Sequence, residues 1–438
     1  MSQHILEMTC GEALVLSEAC LIKLNRSVVM VAKKKNILVQ KYGGTSVGST
    51  ERIKAVAKRV IASYEQGHHM VVVVSAMGKT TNALVALAKE IAPVPDSREY
   101  DALISTGENV SSALLAMCLI EMGYKAISLT GYQAGITTEP LHSKAKILNI
   151  DTQRIHKELS AGHIVIVTGF QGINANTDIT TIGRGGSDTS AVALAASLKA
   201  AVCEIYTDVT GVFTTDPRKV DTAKKLDEIS YEEMLELASL GAKVLHPRAV
   251  ECGKENNVIL HVRSSFSEEE GTMVKESGSM EINKPITGVT VNKEEVIISV
   301  LNVPDQPGIA GKLFHALAQA GINVDMIIQN VEHDKSNNIS FSVHEDDCEK
   351  AESISKTVCS ELGGSGIQTD KSIAKISAVG VGMISKPGIA AQMFDTLGRA
   401  NINIKRISTS EIKISCAIDR DQALKALDVL HQEFQLDR

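Results

Sequence analysis

The sequence predicts an α/β domain on a largely parallel central sheet, followed by two smaller α+β modules. Three observations carry this. From residue 36 onward, short β-branched runs alternate with apolar residues at helical spacing. The alternation breaks at Ser267 to Lys284, a stretch containing Glu268-Glu269-Glu270, Gly271 and Gly278. Beyond that break, one motif occurs twice.

Ile37-Leu38-Val39 reads as a short first strand, and Ile53, Val56, Ala57, Val60 and Ile61 follow at helical spacing. Val71-Val72-Val73-Val74 is β-branched and bounded by polar residues, so it reads as a buried strand. Leu84, Leu87, Ala88 and Ile91 mark the next helix. Ile164 to Val167 and Ala201 to Tyr206 are further strands, and Ala191 to Ala201 is Ala/Leu-rich and helical. In the tail, Pro307-Gly308-Ile309-Ala310 matches Pro387-Gly388-Ile389-Ala390, and Phe314, Leu317 and Ala320 match Phe394, Leu397 and Ala400. Ile322-Asn323-Val324 matches Ile402-Asn403-Ile404. Each copy reads strand, Pro-Gly turn, amphipathic helix, Asn turn, strand. Two copies are too few for a solenoid, so the reading is two matched modules that pair their sheets. The expected division is an extension at 1–35, the α/β domain at 36–268, a linker at 269–288, and modules at 289–368 and 369–438.

At about 150 residues per domain, the 438 residues suit roughly three domains. Aromatics are 3% with no Trp, so the core must be mainly aliphatic. A net charge of -7 offers no footprint for nucleic acid or an anionic membrane. No apolar run of the ~20 residues needed to span a bilayer is evident. The eight Cys are scattered without a C-x-x-C pair. They read as thiols in a reducing cytoplasm, not as a disulfide framework or a zinc site. Residues 1–29 precede a second Met, Met30, and the basic run Lys33-Lys34-Lys35 follows their apolar part, the reverse of a secretory signal. They read as a loose extension or an over-long start, with a short binding helix as the alternative.

The chemistry-bearing residues gather in loops. Lys41-Tyr42-Gly43-Gly44-Thr45-Ser46-Val47-Gly48 lies between a strand and a helix. Glycines allow close backbone approach, helix-start amides favour anions, and a lysine places one positive charge beside a phosphate. A structural turn with a solvated Lys is the alternative. Gly78-Lys79-Thr80 imitates the end of a P-loop, but Val73 stands where that motif needs Gly. Gly183-Arg184-Gly185-Gly186-Ser187-Asp188 sets a planar cation and a carboxylate at a helix start. Asp188 could cap that helix or orient Lys41. Glu108, in Ser105-Thr106-Gly107-Glu108, could hold a substrate ammonium or simply complement a helix dipole. Thr207 to Arg218, with Gly241 to Pro247, offers a nucleotide-sized polar loop and another Lys, while His246 reads as a packed or solvated His before Pro247.

Taken in this order, the Lys41–Gly48, Gly183–Asp188 and Thr207–Arg218 motifs resemble the aspartate kinases of the amino-acid kinase superfamily, from about Asn36 to the C-terminus. The resemblance implies a three-layer sandwich around the parallel sheet, then paired ACT (ferredoxin-like) modules that bind end-product amino acids. It implies transfer of phosphate from ATP to the side-chain carboxylate of L-aspartate, the first step toward lysine, threonine and methionine. By similarity, Lys41 stabilises the phosphoryl oxygens, Asp188 holds Lys41, and Gly43, Gly44 and Gly186 expose backbone donors. Arg184 would grip the α-carboxylate and Glu108 the α-ammonium, with Ser75, Thr81 and Ser187 completing the pocket. Thr207, Asp208, Phe213, Arg218 and Lys243 would line the nucleotide site, where Phe213 replaces a frequent Tyr. Mg²⁺ would arrive with ATP, without a dedicated protein cage.

In the first module, Asp305, Gln306, Asn323, Val324 and Asp325 surround the turn where such an effector is expected. Asn323 could equally stabilise a turn. The second copy carries Ser385, Lys386, Asn403 and Ile404 there, which suits a structural or dimer-forming role. Lysine, threonine or both are the expected inhibitors, and a homo-oligomer through the ACT modules is expected. Two rival readings are another amino-acid kinase and a catalytically silent amino-acid sensor. The tail repeat and the Glu108–Arg184 pair argue against the first. Retention of Lys41, Arg184 and Asp188 argues against the second.

Overall fold

The computed structural model describes residues 36–241, 244–277, 284–331 and 336–438. The expected N-terminal extension and Lys243 lie outside the described residues.

The α/β domain is built on an eight-stranded sheet. Its order is Glu228–Ser230, Thr272–Lys275, Ile259–Ser264, Val202–Thr207, Ile37–Tyr42, His69–Val74, Ile164–Thr168 and Ala126–Leu129. Every neighbouring pair is parallel except Ile259–Ser264 with Thr272–Lys275. The strands have apolar residues on both faces because both faces are covered. Val71, Val73, Val165 and Val167 pack into one helical layer with Val192, Leu194 and Ile155. Their neighbours Met70, Val72, Val74, Ile164 and Ile166 pack into the other, with Ile53, Val56, Leu115 and Leu119. The two-residue strand period thus produces three layers.

Helix limits follow local chemistry. Ser49 caps Thr50–Glu65 by accepting from the Arg52 amide at 3.3 Å. The helix expected over Ala191–Ala201 instead spans Gly186–Ser197, and Lys199 turns the chain out of it at φ 54°. Two consecutive helices, Ser97–Ile104 and Thr106–Glu121, form a stretch long and apolar enough to cross a membrane, which the sequence reading did not anticipate. Half of that stretch is buried inside the domain, where Leu115 and Leu119 pack on the sheet, so it serves as a core helix.

The tail forms two antiparallel four-stranded sheets. The first is ordered Ile328–Val331, Ser336–His344, Glu295–Pro304, Gly366–Asp370. The second is Gly288–Asn292, Ile373–Val379, Lys413–Asp419, Arg406–Thr409. The expected boundaries need two adjustments. Thr272–Lys275, placed in the linker, is a strand of the main sheet. Gly288–Asn292 precedes the first module in sequence yet pairs with Ile373–Val379 of the second. The first module is thus inserted between one edge strand of the second module and the rest of it.

The two sheets meet through side chains, not through shared strand pairing. Lys375 is 2% exposed, lies 2.7 Å from Glu295 and also binds Asp325, so one buried ammonium ties both modules together. Ile297, Met326, Ile373 and Ala417 pack beside it.

Candidate active site

Strands Ile37–Tyr42, His69–Val74, Ile164–Thr168 and Val202–Thr207 run parallel and in register, so the loops that follow them leave one edge of the sheet. Ligands in open α/β sheets bind outside such carboxyl ends. The loops touch one another in sequence. The Gly78 amide donates to the Gly44 carbonyl at 2.9 Å, and a Cβ at Gly44 would sit 2.9 Å from the Ala76 carbonyl oxygen. Only glycine permits that approach. The Gly43 amide donates to the Tyr206 carbonyl at 3.2 Å. The Gly169 amide donates to the Val74 carbonyl at 3.0 Å, and a Cβ at Gly169 would lie 2.7 Å from that of Ser187.

Lys41 and Asp188 meet here. Lys41 Nζ lies 2.5 Å from Asp188 Oδ1, with the side chains 10% and 13% exposed. Asp188 does not cap its helix: the cap position is Gly185, at φ 69°. The first amides of that helix have no intrahelical acceptor and face the same edge as the lysine.

Glu108 is 3% exposed in the first turn of Thr106–Glu121. Its Oε1 accepts from the Ala76 amide at 3.0 Å, while Oε2 is buried with no partner in the structure. Burial pushes its carboxyl up to about 7, against the lowering effect of the Ala76 hydrogen bond. Its helix is held close by Gly107, where a Cβ would meet that of Ala76 at 2.8 Å, and by Ser111, which donates to the Ser75 carbonyl at 2.8 Å. Ser75 and Thr81 are half-buried at the ends of the loop between them. Arg184 is exposed at the tip of its loop.

On the nucleotide side, Thr207 ends its strand and donates to Asp208 at 3.1 Å. Phe213 is half-buried. The Arg218 side chain is 77% exposed and forms a two-pronged pair with Asp216, at 3.0 and 3.2 Å. In the first ACT module, Asp305 accepts from Asn337 at 2.9 Å, and Asp325 is engaged by Lys375.

Several residues that shape the site carry no motif in the sequence. Asp101 is fully buried and accepts from the Thr181 amide at 2.9 Å, the Thr181 hydroxyl at 2.6 Å and the Ser143 amide at 2.9 Å. It thereby anchors the strand that enters the Gly183–Asp188 loop. Arg248 donates to the carbonyls of Ile182 at 2.5 Å and Ala145 at 3.0 Å, bracing the same loop from behind. His246 caps Pro247–Glu255 and packs on Gly185, where a Cβ would overlap its ring. Burial holds its imidazole below the usual pKa. Phe170 is held at φ 72°, with its ring against Gly186. A bulky residue at positive φ costs about 1–3 kcal/mol and persists only where the surrounding structure holds it. Nothing but that backbone angle distinguishes Phe170, and sequence does not show it.

Residues 36–264 match the amino acid kinase family, and residues 298–355 and 376–434 match ACT domains. An aspartokinase of Geobacillus stearothermophilus is 55% identical over 400 residues, covering 91% of this chain and 97% of that one. The chain belongs to the aspartokinases of the amino acid kinase family. The crystal structure of the Synechocystis aspartate kinase shares 48% identity with it, over 91% of this chain and 69% of that one, at a TM-score of 0.52. E. coli aspartokinase III, solved with aspartate and ADP, has the same fold at a TM-score of 0.76 and 24% identity, covering 91% and 99% of the two chains. In this aspartokinase the buried Asp101 carboxylate supports the arginine loop by holding Thr181 and Ser143. Asp101→Ala leaves the Thr181 and Ser143 amides without acceptors, at about 1–3 kcal/mol each. The expected outcome is an earlier unfolding transition in urea together with reduced turnover; an unshifted transition would mean that the loop is held elsewhere.

Proposed function

We propose that this aspartokinase transfers the γ-phosphoryl group of MgATP to the side-chain carboxylate of L-aspartate, giving 4-phospho-L-aspartate and ADP. The observation that carries the reading is the buried Lys41–Asp188 pair at the carboxyl edge of the sheet, beside two glycine loops. A carboxylate oxygen attacks the γ-phosphorus as the bond to the bridging oxygen of ADP breaks. The carboxylate is already a nucleophile at neutral pH, so no strong base is required. Catalysis is positioning and charge neutralisation. Lys41 neutralises the transferring oxygens, and Asp188 fixes its ammonium. Gly44 presents its amide to the phosphates, whereas the expected Gly43 and Gly186 donors are already taken by the carbonyls of Tyr206 at 3.2 Å and Gly183 at 2.9 Å. Arg184 takes the α-carboxylate of aspartate. Glu108, whose second oxygen is buried without a partner, takes the α-ammonium, with Ser75, Thr81 and Ser187 around it. Thr207, Asp208, Phe213 and Arg218 line the nucleotide, with Lys243 assigned there from sequence. Mg²⁺ enters with the nucleotide, held by phosphates and water.

In the first ACT module, Asp305, Gln306, Asn323 and Val324 form the proposed effector turn for lysine, threonine or both. Asp325 would join them only by releasing Lys375. The exposed Ile327, just before edge strand Ile328–Val331, and Ile407, within edge strand Arg406–Thr409, suit pairing of modules between copies of the chain. All six described cysteines are free thiols, in keeping with a cytoplasmic enzyme.

ADP release on adding aspartate tests the reading directly. Lys41→Ala should lower turnover by at least ~10²-fold, the scale of one lost transition-state donor, with the far-ultraviolet circular dichroism unchanged. Turnover near that of the parent would overturn the role. The carboxyl of Glu108 is raised to about 7, so it carries its charge only above that pH. As pH falls through about 7, the neutral acid loses its hold on an ammonium, and the aspartate KM should rise. Glu108→Gln should raise KM at high pH and flatten the profile; an unaltered profile would remove Glu108 from the pocket. Lysine, threonine or the pair should inhibit, with coupling of about 1–3 kcal/mol. Activity that ignores all three additions would refute the regulatory reading.

A further inference from the structure

The segment after strand Val202–Thr207 does not end at the nucleotide. It runs on into the second ACT module. Val220 is 4% exposed and lies inside that module's core, with Val289, Leu427 and Leu430. Between Phe213 and Arg218, Thr214 is held at every polar atom. Its amide donates to the Lys224 carbonyl at 2.8 Å, and its carbonyl accepts from the Val289 amide at 2.8 Å. Its hydroxyl accepts from the Lys224 amide at 3.0 Å and lies 3.0 Å from His431 Nε2. His431 is fully buried on Ala423–Glu433, the last helix of the second module. Its Nδ1 is buried with no partner, so Thr214 is the one polar group it addresses among the described residues.

A fully buried imidazole is a poor choice for filling a core. It leaves one nitrogen unsatisfied where a leucine would leave none. Its position makes sense if the bond to Thr214 has a use. Thr214 adjoins Phe213, which pairs with Lys225, and stands two residues before the Asp216–Arg218 turn, so a tether on Thr214 restrains the segment on both sides.

We propose that His431 is a positioning residue for nucleotide binding, holding the Phe213–Arg218 segment in its ATP-accepting shape through Thr214. This rests on the reading that the segment flanks ATP. His431 touches neither substrate; it acts through the hydroxyl it meets. The second module, apart from any effector, is then part of the nucleotide site.

The test is steady-state kinetics of the full chain with ATP and aspartate varied separately. The variants are His431→Leu, His431→Gln, Thr214→Val and the Leu/Val double, with Phe213→Ala as a check on the underlying reading. His431→Leu should raise the ATP KM about five-fold, the scale of one buried hydrogen bond, and leave the aspartate KM unchanged. A side chain that only stabilised the fold would lower the active fraction and hence kcat, without moving one KM. Gln, whose amide reaches the place of Nε2, should restore the ATP KM. The double variant should be no worse than either single one. If His431→Leu does not fold, Thr214→Val removes the same bond from the other side and must raise the ATP KM alone. A parental ATP KM in His431→Leu or Thr214→Val, while Phe213→Ala raises it, overturns the positioning role and leaves the nucleotide reading standing. A parental ATP KM in all of them overturns both. Equal defects in Gln and Leu also overturn the proposal, since packing would then explain them.

Discussion

Two opposite charges 2.5 Å apart, nearly out of water, set the terms for the catalytic domain. Breaking such a pair costs about 3–5 kcal/mol, because the survivor stays buried and unpaired. The pair therefore requires that the end of Ile37–Tyr42 and the start of Gly186–Ser197 stay together. Glycines at 43, 44, 185 and 186 let the backbones come close enough. Asp101 and Arg248 hold the incoming strand so that Asp188 arrives at the right place. The same low-dielectric setting leaves one oxygen of Glu108 buried without a donor.

What the sequence displays well is whatever depends on local pattern. The β-branched run at Val71–Val74 and the helical spacing from Ile53 to Ile61 mark their elements because burial on a known period leaves a trace in composition. The glycine loops are legible for the same reason: only glycine allows the positive φ at Gly185 and the close pass at Gly44. Asp101, Arg248 and Phe170 are not legible. Each acts through partners distant in sequence, and an aspartate between Tyr100 and Ala102 looks like any acid on a helix. The small sheet made by Ile147–Ile150, Ile136–Thr138, Gln171–Ile173 and Ile179–Thr181 is equally hidden, since strands of three or four residues are too short to show a period. The membrane-length apolar stretch at Ser97–Glu121 is masked in the sequence because Asp101 and Glu108 interrupt it; both acids are buried in the fold.

The regulatory half shows a similar division. The repeat is plain in sequence, and the structure gives each copy the order strand, helix, two strands, helix; the fourth strand follows in the first copy, as Gly366–Asp370, and comes from upstream in the second, as Gly288–Asn292. Its connectivity is not plain. Lys375 resembles any lysine on an alternating strand, yet it is the ammonium on which Glu295 and Asp325 converge. Glu233 draws the second module onto the catalytic domain by accepting from the Thr287 hydroxyl at 2.6 Å and the Val381 amide at 3.1 Å. These contacts make the second module a structural neighbour of the catalytic domain.

The edge strand Gly288–Asn292 has a temporal consequence. It leaves the ribosome well before its pairing partner Ile373–Val379, with an entire ACT module made in the interval. Vectorial synthesis can complete the inserted module while that strand still waits, exposed and unmatched, for the tail. Long-range closure of this kind is slow, because chain entropy is lost before the contacts that repay it form. Nascent chains stalled or clipped before Ile373–Val379 would carry an unpaired strand next to Thr214, so premature release yields a sticky species and not a smaller working kinase.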